Sequence, residues 1–101
     1  MAIELNPSIR DEIIRYCRAI VPEAKVFVFG SRATGAATPR SDLDLALLAP
    51  QALPLERIYQ LKNTFMNSNI PHRIDVVDMN ALDAGFRKLV EAEAVLLTEQ
   101  S

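Results

Sequence analysis

Gly30-Ser31, ten further residues and then Asp42-Leu43-Asp44 make the stretch of this 101-residue chain whose residue types and spacing could do chemistry. Side chains alternate faces along a strand, so Asp42 and Asp44 point the same way. Two carboxylates on one face repel unless a cation lies between them. Mg²⁺ is a hard ion that takes oxygen ligands, keeps several waters and accepts carboxylates together with substrate phosphates. Gly30 allows a sharp turn and the close approach of a phosphate. Ser31 adds a hydroxyl and a backbone N–H, a ready anion site if a helix starts there. Taken singly these features are ordinary: Gly-Ser after a strand is a turn, and the two acids read as a strand-entry residue and a solvated one. Combined, and joined by Asp75 on a later strand as a third ligand or a base, they imply chemistry on a nucleoside triphosphate. A two-metal site would stabilise both the attacking and the leaving oxygen of an in-line displacement.

The elements that must position these groups follow from pattern and punctuation. Asn6 suits an N-cap and Pro7 the first helical position, so a helix is predicted from Pro7 to Ile20, with Ile9, Ile13, Ile14, Cys17 and Ile20 on its apolar stripe and Pro22 ending it. Lys25 to Phe29 is a buried strand rich in Val and Phe, broken by Gly30. Ser31 to Ala37 is a short helix or a turn, barred from extension by Pro39. Leu43 to Ala49 is the second strand, stopped by Pro50. Pro54 to Asn67 is the second long helix, with Leu55, Ile58, Leu61, Phe65 and Met66 inward. Arg73 to Val77 is the third strand. Asn80 or Asp83 caps a last helix reaching Ala92, with Leu82, Phe86, Leu89 and Val90 inward, and Val95-Leu96-Leu97 is either a terminal strand or a last helical turn. The fold class is α/β of the α+β kind: a small mixed three-stranded sheet packed with about four helices in a single domain.

Strand directions follow from the chemistry. Gly30-Ser31 ends the first strand, whereas Asp42 and Asp44 begin the second, so one shared site requires an antiparallel pair. The helix between strands two and three is long enough for a crossover, which makes those two parallel. Asp75 then reaches the same end of the sheet as Asp42 and Asp44. Asp78 lies at the far end of its strand and is the weaker candidate.

The formal net charge is −2, so no global basic field favours nucleic acid. Arg10, Arg15 and Arg18 share their helix with Asp11 and Glu12 and read as a solvated face. The lone Cys17 cannot make an internal disulfide and reads as inert packing, with a reducing cytoplasm the simplest setting. No signal-peptide pattern and no apolar run of membrane-spanning length is present. His72 reads as a solvated loop histidine, and Tyr16 and Tyr59 as packing or surface residues. Leu53, Leu55, Phe65, Met66 and Ile70 exceed what one small face needs, with core packing the favoured reading over a binding surface.

The bipartite Gly30-Ser31 and Asp42-Leu43-Asp44 pattern, with Asp75 on a later strand, resembles the signature of the nucleotidyltransferase superfamily that includes DNA polymerase beta. More narrowly, GSRATGAATPRSDLDLAL is similar to the minimal nucleotidyltransferases, antitoxins paired with HEPN-domain toxins. The resemblance covers almost the whole chain. It implies that Asp42, Asp44 and Asp75 are ligands of Mg²⁺, that Gly30 and Ser31 hold the triphosphate of ATP, and that Arg32 either neutralises phosphate charge or is a solvated turn residue. Thr34 stands where the pattern often has a second Arg. The implied activity is transfer of AMP from ATP to a tyrosine of the toxin. The competing expectation is a non-catalytic module that neutralises its partner by steric binding. Acceptor recognition must come from a partner surface or a second copy, because nothing after residue 92 is left to supply it.

Overall fold

The computed structural model describes residues 5–30 and 42–97. Their order is α1 (Pro7–Ile20), β1 (Lys25–Phe29), β2 (Leu43–Leu48), α2 (Leu55–Met66), β3 (Ile74–Asp78), a 3₁₀ turn (Met79–Ala81), α3 (Ala84–Glu93) and β4 (Val95–Leu96). The first helix starts as its sequence dictates: the Asn6 side chain accepts from the Ser8 N–H at 2.8 Å, and Pro7 occupies the first turn. The expected helix or turn over 31–37 lies outside the described residues.

The strands form one sheet in the order β3-β2-β1-β4. β1 and β2 are antiparallel, with Phe29 opposite Asp44, and β2 and β3 are parallel, with Asp44 beside Asp75. The directions deduced from the chemistry are those found. The sheet has four strands rather than three, because Val95 and Leu96 pair with Val28 and Phe27. Ala94 leaves α3 in an extended conformation, which lets the chain reach the free edge of β1 at once. Among the described residues there are three α-helices and the 3₁₀ turn; the further short helix of the expectation, over 31–37, falls outside them.

Alternation along β2 divides its two faces. Leu43, Leu45 and Leu47 are fully buried and join Val26, Val28 and Val76 beneath α1 and α2, which contribute Ile13, Cys17, Ile58, Leu61 and Phe65. The opposite face carries a smaller cluster in which Ala46, Met79 and Val90 are buried, flanked by Phe27, Phe29 and Val77. α3 covers that face only in part. Met66 and Leu55, expected inward, are 78% and 67% exposed, and Phe86 and Leu89 of α3 are exposed as well. Both helices are one residue-stripe wide on their buried side. The stripes centre on Leu61 and Val90, so positions at their margins turn to solvent.

Cys17 is inert packing: burial pushes its thiol up to about 12, leaving no thiolate at neutral pH. Arg57 on α2 makes a two-pronged pair with Glu23, and this hydrogen bonding holds the Glu23 carboxyl down at about 2. That pair's contribution to stability is present above the ordinary glutamate pKa and lost as pH falls towards the lowered one. Among the described residues no helix is long and apolar enough to cross a membrane.

Candidate active site

Three neighbouring strands bring the sequence's candidate groups into a row. Asp75 lies on β3, Asp44 beside it on β2, and Phe29-Gly30 at the end of β1 faces Asp44 from the other side. All sit at one end of the sheet, on the face that α3 partly covers. Asp42, exposed just before β2, has the same strand parity as Asp44 and so projects to that face. Ser31 and Arg32 lie outside the described residues.

The Gly30 turn is built for close approach. Its φ is +78°, in the left-handed region, and a Cβ placed there would lie 2.6 Å from Asp44 Oδ2. The Asp44 carboxylate therefore packs directly on the Gly30 backbone, and only glycine leaves room for it. On the other side, the Gly30 N–H donates to Glu93 Oε1 at 3.1 Å. Glu93 is the last residue of α3, so this bond ties the end of that helix to the turn after β1.

The electrostatics are those of a site awaiting positive charge. Burial, followed by the charges of Asp75, Asp42 and Glu93, pushes the Asp44 carboxyl above the ordinary aspartate range. Among the described residues nearby relief is slight: Arg73 Nε is 3.9 Å from Asp75 Oδ1, and both side chains are largely exposed. No group of three or more acids or histidines among the described residues forms a cage able to hold an ion alone. Such an open, oxygen-only donor set fits Mg²⁺, which is bound through one or two carboxylates with substrate phosphates and water completing the shell.

Asp78 has a different task. It is 8% exposed, its Oδ2 accepts from the Leu53 N–H at 2.8 Å and its Oδ1 from the Asn80 N–H at 3.0 Å. This side chain pins the segment before α2 to the end of β3, at the end of the strand opposite Asp75's neighbourhood. Asp78→Ala should lower stability by ~1–3 kcal/mol, because the buried Leu53 N–H loses its acceptor. Urea unfolding measures the loss, and an unchanged midpoint would contradict the assignment.

Glu93 is the site residue that the sequence reading missed. Its signal is indirect. Asp83 caps α3 through a 2.9 Å bond from the Phe86 N–H, which fixes where the helix begins, and the packing of α3 on the sheet then decides what its last turn reaches. His72 borders the same cavity as Asp75, and Tyr59 is exposed on α2.

Comparison with known proteins bears on the family and the fold. The family described as "Polymerase beta, Nucleotidyltransferase" matches residues 11–101. The chain is 35% identical over 81 residues to the "probable protein adenylyltransferase MntA" of Haemophilus influenzae, an overlap of 80% of this chain and 71% of the relative. A solved toxin–antitoxin structure, an MntA–HpeT mutant, matches with a TM-score of 0.74 at 26% identity over 96% of this chain and 75% of that chain. The structure of a tri-AMPylated Shewanella oneidensis HEPN toxin with its MNT antitoxin contains the same fold, with a TM-score of 0.69 at 22% identity over 90% of this chain and 70% of that one. Since the family match takes in everything after the first ten residues, the chain belongs to the polymerase beta nucleotidyltransferase family.

Proposed function

We propose that this chain is an ATP-dependent protein adenylyltransferase that places AMP on a tyrosine of a HEPN-domain toxin and so acts as its antitoxin. The observation that carries the reading is the row of Gly30, Asp44 and Asp75 across three adjacent strands, which sets a left-handed glycine turn against a carboxylate pair. Kinship with MntA supports the nature of the reaction, and the MntA–HpeT assembly supports the kind of partner.

Each residue has a role in that reading. Gly30 lets the Asp44 carboxylate lie against the turn, with Ser31 and Arg32 next along the chain to grip the triphosphate. Glu93 holds the Gly30 turn in its left-handed conformation through the Gly30 N–H. Asp42, Asp44 and Asp75 would hold Mg²⁺, two ions in the fuller form of the site, which would supply charge neutralisation to the triphosphate during transfer. Asp75, on the outer strand, is placed to take the proton of the incoming hydroxyl. The phenolic oxygen bonds to the α-phosphorus, the bond from that phosphorus to the α,β-bridging oxygen breaks, and pyrophosphate leaves. Such transfer depends on positioning and electrostatics rather than on a covalent enzyme intermediate.

The test is the intact mass of the HEPN partner after incubation with ATP and Mg²⁺. Wild type should add one or more whole AMP units, and chelation of the metal should prevent it. If the partner binds both wild type and Asp42→Asn/Asp44→Asn stably and gains no mass from either, the protein is a steric antitoxin and not an enzyme.

A further inference from the structure

The strand order separates donor from acceptor. The phosphate-holding turn follows β1, Asp44 is on β2 and Asp75 is on β3, the outermost strand of the sheet. Neighbouring strands lie about 4.8 Å apart, so Asp75 stands roughly 10 Å from the Gly30 turn across the sheet. A hydroxyl that attacks from the side opposite the leaving pyrophosphate must therefore arrive over the β3 edge.

A cavity of about 380 Å³ opens at that edge, between the C-terminal half of α2 and the start of β3; its apolar walls are on the α2 side of the sheet, and it reaches round the edge to Asp75. Phe65, Met66, Ile70 and Ile74 give it apolar walls. Lys62 and Arg73 stand in the same lining and bring positive charge to a molecule whose reacting groups are otherwise acidic. Met66, at 78% exposure, is the most exposed large apolar side chain on the described surface, although its neighbour Phe65 is core.

We propose that this cavity is the acceptor seat, and that it takes an aromatic hydroxyl side chain of the partner protein. The apolar walls match an aromatic ring. The two cations favour the phenolate over the phenol, since a nearby positive charge stabilises the ionised form. The proposal rests on the adenylyltransferase reading and adds to it the place and the residues of acceptor binding.

Steady-state AMP transfer to the HEPN partner tests it, with acceptor and ATP varied separately. Lys62→Glu and Met66→Asp should each raise the acceptor KM by on the order of tenfold and leave the ATP KM within about twofold. Both positions are exposed, so the fold should survive, which a thermal melt verifies. Leu55→Asp, on an equally exposed apolar residue at the other end of α2, should change neither constant. Unchanged acceptor KM in both cavity variants, or an equal rise in the ATP KM, overturns the seat while wild-type transfer remains intact. A wild type that transfers no AMP overturns the adenylyltransferase reading and the seat together.

Discussion

Asp44→Asn should abolish AMP transfer and at the same time make the folded protein more heat-stable. The two effects share one cause. Asp44 is partly buried against the Gly30 backbone and surrounded by Asp75, Asp42 and Glu93, so its charge is held at a cost. Its folded pKa is raised, which means the folded protein binds this proton more readily than the unfolded chain does. Stability from this group is then fully present below the ordinary aspartate pKa and is lost as pH rises through the raised value. Asparagine keeps the shape and drops the charge. At pH 7 without metal the variant should melt above wild type. The gap should close below about pH 4, where wild-type Asp44 is also neutral. Transfer should fall on the order of a thousandfold, because the carboxylate that would hold the metal is gone. Differential scanning calorimetry across pH, paired with AMP-transfer rates, reads both quantities. An Asp44→Asn protein that melts lower at pH 7, or that transfers normally with Mg²⁺, would remove Asp44 from the site.

How much of this was legible in the sequence depended on whether local or tertiary forces decided each feature. The caps at Asn6 and Asp83, the alternating leucines of β2 and the breaks at Gly30 and Pro50 are local, and the elements they imply are present. Strand directions were legible because chemistry supplied the missing constraint: the Gly30 turn and the two acids could share a site in only one arrangement. The fourth strand was not, since two residues after a helix carry too little pattern to tell a strand from a last turn. Only the free edge of β1 decides it. Met66 and Leu55 failed for a related reason: helical spacing names a stripe but not its width, and the margin of the stripe depends on how closely α2 meets β3. Glu93 needed the most tertiary information of all, because its partner Gly30 is 63 residues away. Asp75 and Asp78 illustrate the opposite case. They are three positions apart on one strand, and their positions along it were enough to rank Asp75 above Asp78 as a candidate, whereas the burial and structural bonds of Asp78 show only in the fold.

Gly30→Ala should damage both stability and catalysis, and the damage should depend on Asp44. The substitution meets two obstacles. A non-glycine residue at φ +78° carries a backbone penalty of ~1–2 kcal/mol. The new methyl would also lie 2.6 Å from Asp44 Oδ2, so the carboxylate must swing away from the turn. The first obstacle belongs to the backbone alone, whereas the second exists only while Asp44 keeps its side chain. A double-mutant cycle with Asp44→Ala separates them. Alone, Gly30→Ala should lower the melting temperature by more than the roughly 4–16 °C that the ~1–2 kcal/mol backbone penalty gives by itself in a small domain, and reduce transfer by on the order of a hundredfold. In the Asp44→Ala background the same change should cost less, because only the backbone term remains. Equal costs in both backgrounds would mean that the carboxylate does not rest on the turn. The turn proposed to hold phosphate and the acid proposed to hold metal would then be independent features, and the proposed coupling of donor grip to charge neutralisation would have to be abandoned.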